Sequence, residues 1–81
     1  MIEEVCAGQP WETVVTPTSI SAISVTIGGT PTLDYTTHSN GDGTYTVKVS
    51  GDATNDNAGK KIEVSEDGTV LSEAKIIDCG P

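Results

Sequence analysis

The sequence predicts an all-β domain, a small antiparallel β-sandwich of about seven strands. Three observations predict it. Valine (8), isoleucine (7) and threonine (12) supply 27 of the 81 residues, whereas leucine occurs 2 times and alanine 5. β-Branched side chains lose χ1 freedom in helices and pack well on pleated sheets. Nine glycines and four prolines interrupt the chain at short intervals. Between the interruptions, apolar residues alternate with polar ones in runs spaced as the strands of a sandwich or barrel are. No window carries helical periodicity; residues 65–74 come nearest, and Asp67-Gly68 breaks them.

Each element has its own reason. Residues 2–6 form a first strand, ended by Ala7-Gly8-Gln9-Pro10. Residues 11–16 follow, with Trp11, Thr13 and Val15 on one face, and Pro17-Thr18 ends them. In 20–27, Ile23, Val25 and Ile27 share a face; Ile20 and Ala22 fall out of phase, which predicts a bulge or bend near Ser21. Gly28-Gly29 is a tight-hairpin signal. Residues 31–37 alternate Leu33 and Tyr35 against Asp34 and Thr36, and Pro31 suits an edge strand. The turn Ser39-Asn40-Gly41-Asp42-Gly43 is dense in residues that tolerate positive φ. The clearest strand is 44–50, with Tyr45, Val47 and Val49 opposite Thr44, Thr46, Lys48 and Ser50. Residues 51–59 read as a polar loop. Residues 60–65 turn Ile62 and Val64 inward, Glu66-Asp67-Gly68 is a second hairpin turn, and 69–78 place Val70, Ala74 and Ile76 on one face. Such clean alternation implies antiparallel sheets with one solvated face each.

The chain, 1–81, is one domain with a thin core. Twelve acidic residues against four lysines and no arginine give a net charge of −8. A nucleic-acid binder needs a basic patch, and so does a protein drawn to anionic membrane; both are disfavoured. The start Met1-Ile2-Glu3-Glu4-Val5 is acidic, unlike a secretory leader, and reads as the start of a complete small reading frame or, on the second reading, of a domain cut out with a start codon added. No apolar stretch approaches the roughly 18 residues of a membrane span.

Few residues are equipped for chemistry, and the sequence predicts a non-enzymatic protein without cofactor or metal. Gly28-Gly29 lacks the lysine and helix of a phosphate loop, no G-x-S-x-G occurs, and the acids are dispersed as on a solvated face. His38 is alone: a pH switch or ligand on one reading, an ordinary loop-edge residue on the plainer one. Asn40, Asp42, Asp52, Asn55, Asp56 and Asn57 invite a calcium reading, but the EF-hand spacing is not met and turn chemistry accounts for them. Trp11 is a core anchor, or else a sugar-stacking or partner-contact residue. Cys6 and Cys79 lie near opposite ends. Bridged, they would add roughly 4–5 kcal/mol in the chain-entropy treatment; free, they would suit a reducing compartment.

Asp42-Gly43-Thr44-Tyr45-Thr46-Val47 resembles the D-x-G-x-Y corner of immunoglobulin-like domains, one residue tighter. That resemblance makes Tyr45 a structural tyrosine corner, its hydroxyl bonded to backbone upstream. Gly43-Thr44-Tyr45-Thr46-Val47-Lys48-Val49, a polar loop and then Lys60-Lys61-Ile62-Glu63-Val64 are similar to the end of bacterial and phage immunoglobulin-like modules. The strand 69–78 beyond that end, and cysteines outside the intersheet positions, depart from the pattern. The resemblance implies a virion accessory protein, decorating a phage head or tail by docking on the coat lattice. Its partner would be the major capsid protein or another virion structural protein, with homo-oligomers on the particle as an option. Strand addition supplies the docking and many copies supply avidity, while the negative charge keeps free chains soluble in the host cytoplasm before assembly. The alternative is a carbohydrate- or surface-binding module of a secreted, extracellular bacterial protein. Trp11 and Tyr35 are the candidate contact residues in either setting.

Overall fold

The computed structural model describes residues 3–80. Its elements are β1 (Glu3–Cys6), β2 (Trp11–Val15), a 3-10 turn (Ile20–Ala22), β3 (Ile23–Ile27), β4 (Thr30–Thr32), β5 (Tyr35–Ser39), β6 (Tyr45–Val49), α1 (Gly51–Thr54), β7 (Lys61–Glu66) and β8 (Thr69–Ile77). Residue 2, where the first strand was expected to start, lies outside the described residues.

Two short turns fix the larger sheet. Gly28 and Gly29 have φ of +60° and +83°, and Asp67 and Gly68 have +49° and +85°. A two-residue type I′ turn needs positive φ at both positions, which glycine adopts freely and aspartate tolerates. The turns pair β3 with β4 and β7 with β8. The larger sheet runs β1-β8-β7-β3-β4 and the smaller β2-β6-β5. One pair departs from the expected antiparallel rule: β1 lies parallel to β8, Glu3 opposite Ala74 and Cys6 opposite Ile77.

The inward residues of each strand build a single core. Val25 and Ile27 of β3, Ile62 and Val64 of β7, and Ala74 and Ile76 of β8 face Trp11, Val15, Val47 and Val49 of the smaller sheet. Each fully buried valine or isoleucine contributes about 1.5–3 kcal/mol relative to exposure. Thr13 Oγ1 meets Ser72 Oγ at 2.6 Å, bonding β2 to β8. Outside the core, Lys61 Nζ lies 3.7 Å from Glu63 and 3.3 Å from Glu73, two carboxylates directly opposite on β7 and β8.

Three expectations are corrected and one is narrowed. Residues 31–37 are not one strand but parts of two, β4 and β5, in different sheets. The chain changes sheet at Leu33-Asp34, so the apparent alternation there is coincidental and Leu33 points into solvent. The described residues therefore hold eight strands rather than about seven. Of the bulge or bend expected near Ser21, the structure has the bend, a 3-10 turn over Ile20–Ala22. Its approach is held by Glu66, whose carboxylate accepts from Thr18 N at 3.0 Å and Ser19 N at 2.6 Å. A register shift between Val64 and Ser65 breaks the phase of β8, so Val70 is 44% exposed instead of sharing a face with Ala74 and Ile76. Finally, the polar loop after β6 begins with α1, whose N-cap Ser50 accepts from Ala53 N at 3.3 Å.

Candidate functional site

The residues singled out in the sequence do not converge. Trp11 is 4% exposed, packed in the core opposite Val49. It presents no ring face to a partner or a sugar, which corrects its reading as a contact residue. Its indole N–H is the one buried side-chain polar atom without a partner among the described residues. Tyr45 starts β6 and packs against the core. No hydrogen bond of its hydroxyl appears among the described residues, so its role here is packing. His38 is exposed on β5, with Thr46 as its cross-strand neighbour. Cys6 and Cys79 form a disulfide across a Cα separation of 5.5 Å, within the ordinary range for a bridge.

The oxygen-rich loops lie at opposite ends of β6. The intervening strand separates them by about 20 Å at 3.4 Å per residue. Turn bonds occupy the side chains of Asn40, Asp42 and Asn57. Asp42 Oδ1 accepts from Thr44 N at 3.1 Å and from Thr44 Oγ1 at 2.5 Å. The Thr44 hydroxyl, then the Thr44 amide, hold the Asp42 carboxyl below the ordinary aspartate value of 3.8. Asn57 Nδ2 donates to the Ala53 carbonyl at 2.7 Å. No group of three His, Cys, Asp or Glu among the described residues could hold a metal ion.

A junction at one end of the sandwich was missed in the sequence. Thr54 is fully buried, and its Oγ1 accepts from Gly8 N at 2.9 Å. The same oxygen lies 2.8 Å from the Gln9 carbonyl and 3.1 Å from the Gly51 carbonyl, to which its proton is directed. Gly51 approaches so closely that a Cβ there would stand 2.5 Å from Gly8 O. The only sequence signal was Ser50 followed by Asp52, an N-cap and a first-turn acid.

The four outer strands differ sharply in how open they are. A sheet edge exposes unpaired N–H and C=O groups, and proteins guard such edges with charge, proline, shortness or cover. Edge strand β1 carries Glu3 and Glu4 and is tied at Cys6 to Cys79. Strand β4 has three residues, one of them Pro31. Strand β2 carries Glu12 beside Val14, which is 61% exposed, and its inward Thr13 bonds across the core to β8. Strand β5, Tyr-Thr-Thr-His-Ser, has no proline, no glycine and no carboxylate or lysine. Beside it lies an open groove of about 450 Å³ lined by Leu33, Asp34, Tyr35, Thr36, Lys48 and Ser50. Leu33 is 91% exposed. Tyr35, the second expected contact residue, is half-buried and forms part of this groove.

Compared with protein-family models, curated proteins and solved structures, the chain matches none. Among the described residues no helix is long and apolar enough to cross a membrane.

Proposed function

We propose that this chain is a non-enzymatic immunoglobulin-like binding module that acts by docking on another protein, as an accessory of a phage head or tail. Strand order supports the immunoglobulin-like part. In that fold one sheet contains C, F and G and the other B, E and D. Here β3-β7-β8 stand in the places of C-F-G, with β4 beside C, and β2-β6-β5 in those of B-E-D. Tyr45 then falls on the strand in the place of E, not of F where a tyrosine corner belongs.

The single observation that carries the docking part is the unguarded β5 edge beside an almost fully exposed leucine. A net charge of −8 suits chains that stay apart until a lattice collects them. The test is sedimentation of a native extract of the source, with the chain followed by mass spectrometry. Travel with megadalton particles at many copies is expected; a chain left at the top of the gradient would sink the virion setting.

A second setting, a surface-binding module of a secreted bacterial protein, draws on the Cys6–Cys79 disulfide, because such bridges persist in oxidising compartments. Its sugar-binding form is weakened by the burial of Trp11, which leaves Tyr35 as the one remaining ring of its proposed pair.

A further inference from the structure

We propose that the open side of β5 receives one extended strand of another protein, neutral through its centre and basic at both ends. This rests on the docking reading above and specifies its site and the chemistry of its partner.

The backbone defines the site. Ser50 N donates to the Asp34 carbonyl at 2.9 Å, and Asn40 N donates to the Thr44 carbonyl at 3.0 Å, at the two ends of the β5–β6 ladder. Antiparallel pairs alternate between bonded and non-bonded positions. Thr36 and His38 therefore turn their N–H and C=O toward β6. Those of Tyr35, Thr37 and Ser39 face away, and among the described residues β5 pairs with β6 alone. Every second residue along five positions thus offers a donor and an acceptor, the pattern that strand addition uses.

Charge selects the occupant. Asp34 and Asp42 flank the strand, both exposed, and along the chain no carboxylate or lysine lies between them; the nearest lysine, Lys48 opposite Thr36 on β6, lies 3.9 Å from Glu12 of β2. A second copy of this chain is the obvious alternative. Pairing β5 with itself about Thr37 would set Asp34 opposite Asn40 and Asp42 opposite Thr32, with no cation facing either acid. It would also bring together two chains of charge −8. A strand with lysine or arginine at each end answers both acids. Leu33 and the groove under it offer an apolar side chain of that strand a place to lie.

The probe is an acetylated, amidated heptapeptide of alternating threonine and valine with a lysine at each end. Amide hydrogen exchange of the isotope-labelled chain reads the site. The expected result is slowed exchange at Tyr35, Thr37 and Ser39, and binding about fivefold weaker for the same peptide with glutamate ends. Thr37→Pro removes an outward N–H at an edge that tolerates proline, and should weaken binding about tenfold or more. Leu33→Ser keeps the backbone edge, removes the apolar wall and should also weaken binding. Slowed exchange on another edge, absence of binding, or a dimer that Thr37→Pro dissolves would overturn the proposal. The two readings fail separately. If wild type and Thr37→Pro travel equally with particles, the edge is wrong and the virion setting stands. If the peptide protects β5 but wild type never travels with particles, the edge stands and the virion setting falls.

Discussion

The two chain segments on either side of β5 and β6 are treated in opposite ways. After β6, the chain turns through α1 and is locked. Thr54 is buried, its hydroxyl group bonds three backbone partners, and Gly51 lies against Gly8 with no room for a methyl group. The neighbouring β1–β2 turn begins at Cys6, which is bridged to Cys79. Before β5, the chain crosses between sheets through Leu33, which touches so little that 91% of it is exposed. The β5 strand that follows bonds on one side only. Packing and hydrogen bonds are concentrated at the first region, and the second is left open to solvent. Substitutions at the junction should therefore change stability and spare docking, and substitutions along Leu33 and β5 should do the reverse.

The largest effect should come from the disulfide. Cys6→Ser with Cys79→Ser, or reduction of the wild type, releases a cross-link spanning 73 residues. The expected loss is about 4 kcal/mol in chemical denaturation, a large share of the stability of a domain this size. An unchanged midpoint would mean that the denatured chain gains little freedom. Thr54→Val comes next. It leaves Gly8 N–H and the Gln9 carbonyl without their partner, at a cost of about 1–3 kcal/mol. Gly51→Ala forces a clash with Gly8 O and should cost about 1–3 kcal/mol, visible as a lower Tm.

Smaller effects sharpen the contrast. Leu33→Ser should leave stability within about 0.5 kcal/mol of wild type, since nothing packs on that side chain. Asp42 gives a weak pH signal. Its folded pKa is depressed, so the stability it adds is present above the ordinary value of 3.8 and is lost as pH falls through the lowered one. Asp42→Asn should remove that part of the acid sensitivity, read from Tm against pH for the two proteins.

Much of the fold was legible because period-two alternation marks buried strand faces directly. Val47 and Val49, Ile62 and Val64, and Val25 and Ile27 all lie inward as their spacing says. Legibility failed where the chain leaves one sheet for the other. Leu33 and Tyr35 are two apart, as in a strand, yet Leu33 belongs to the crossing and Tyr35 to β5. Alternation cannot report a change of sheet. The bulge near Leu71 was hidden for a related reason, since one extra residue reverses the phase without changing composition. The candidate site was harder still. Openness of an edge depends on which strands pair, and only the sheet order shows that β5 ends its sheet while Trp11 on β2 turns its ring into the core.

If β5 is the working edge of a docking module, a proline in it should release the chain from its particle. One gradient tests it most directly. Native particles stripped of this chain are mixed with wild-type or Thr37→Pro protein, both checked for equal Tm, and sedimented. Wild type is expected in the particle fraction and Thr37→Pro at the top. Equal sedimentation of both with the particles would contradict it.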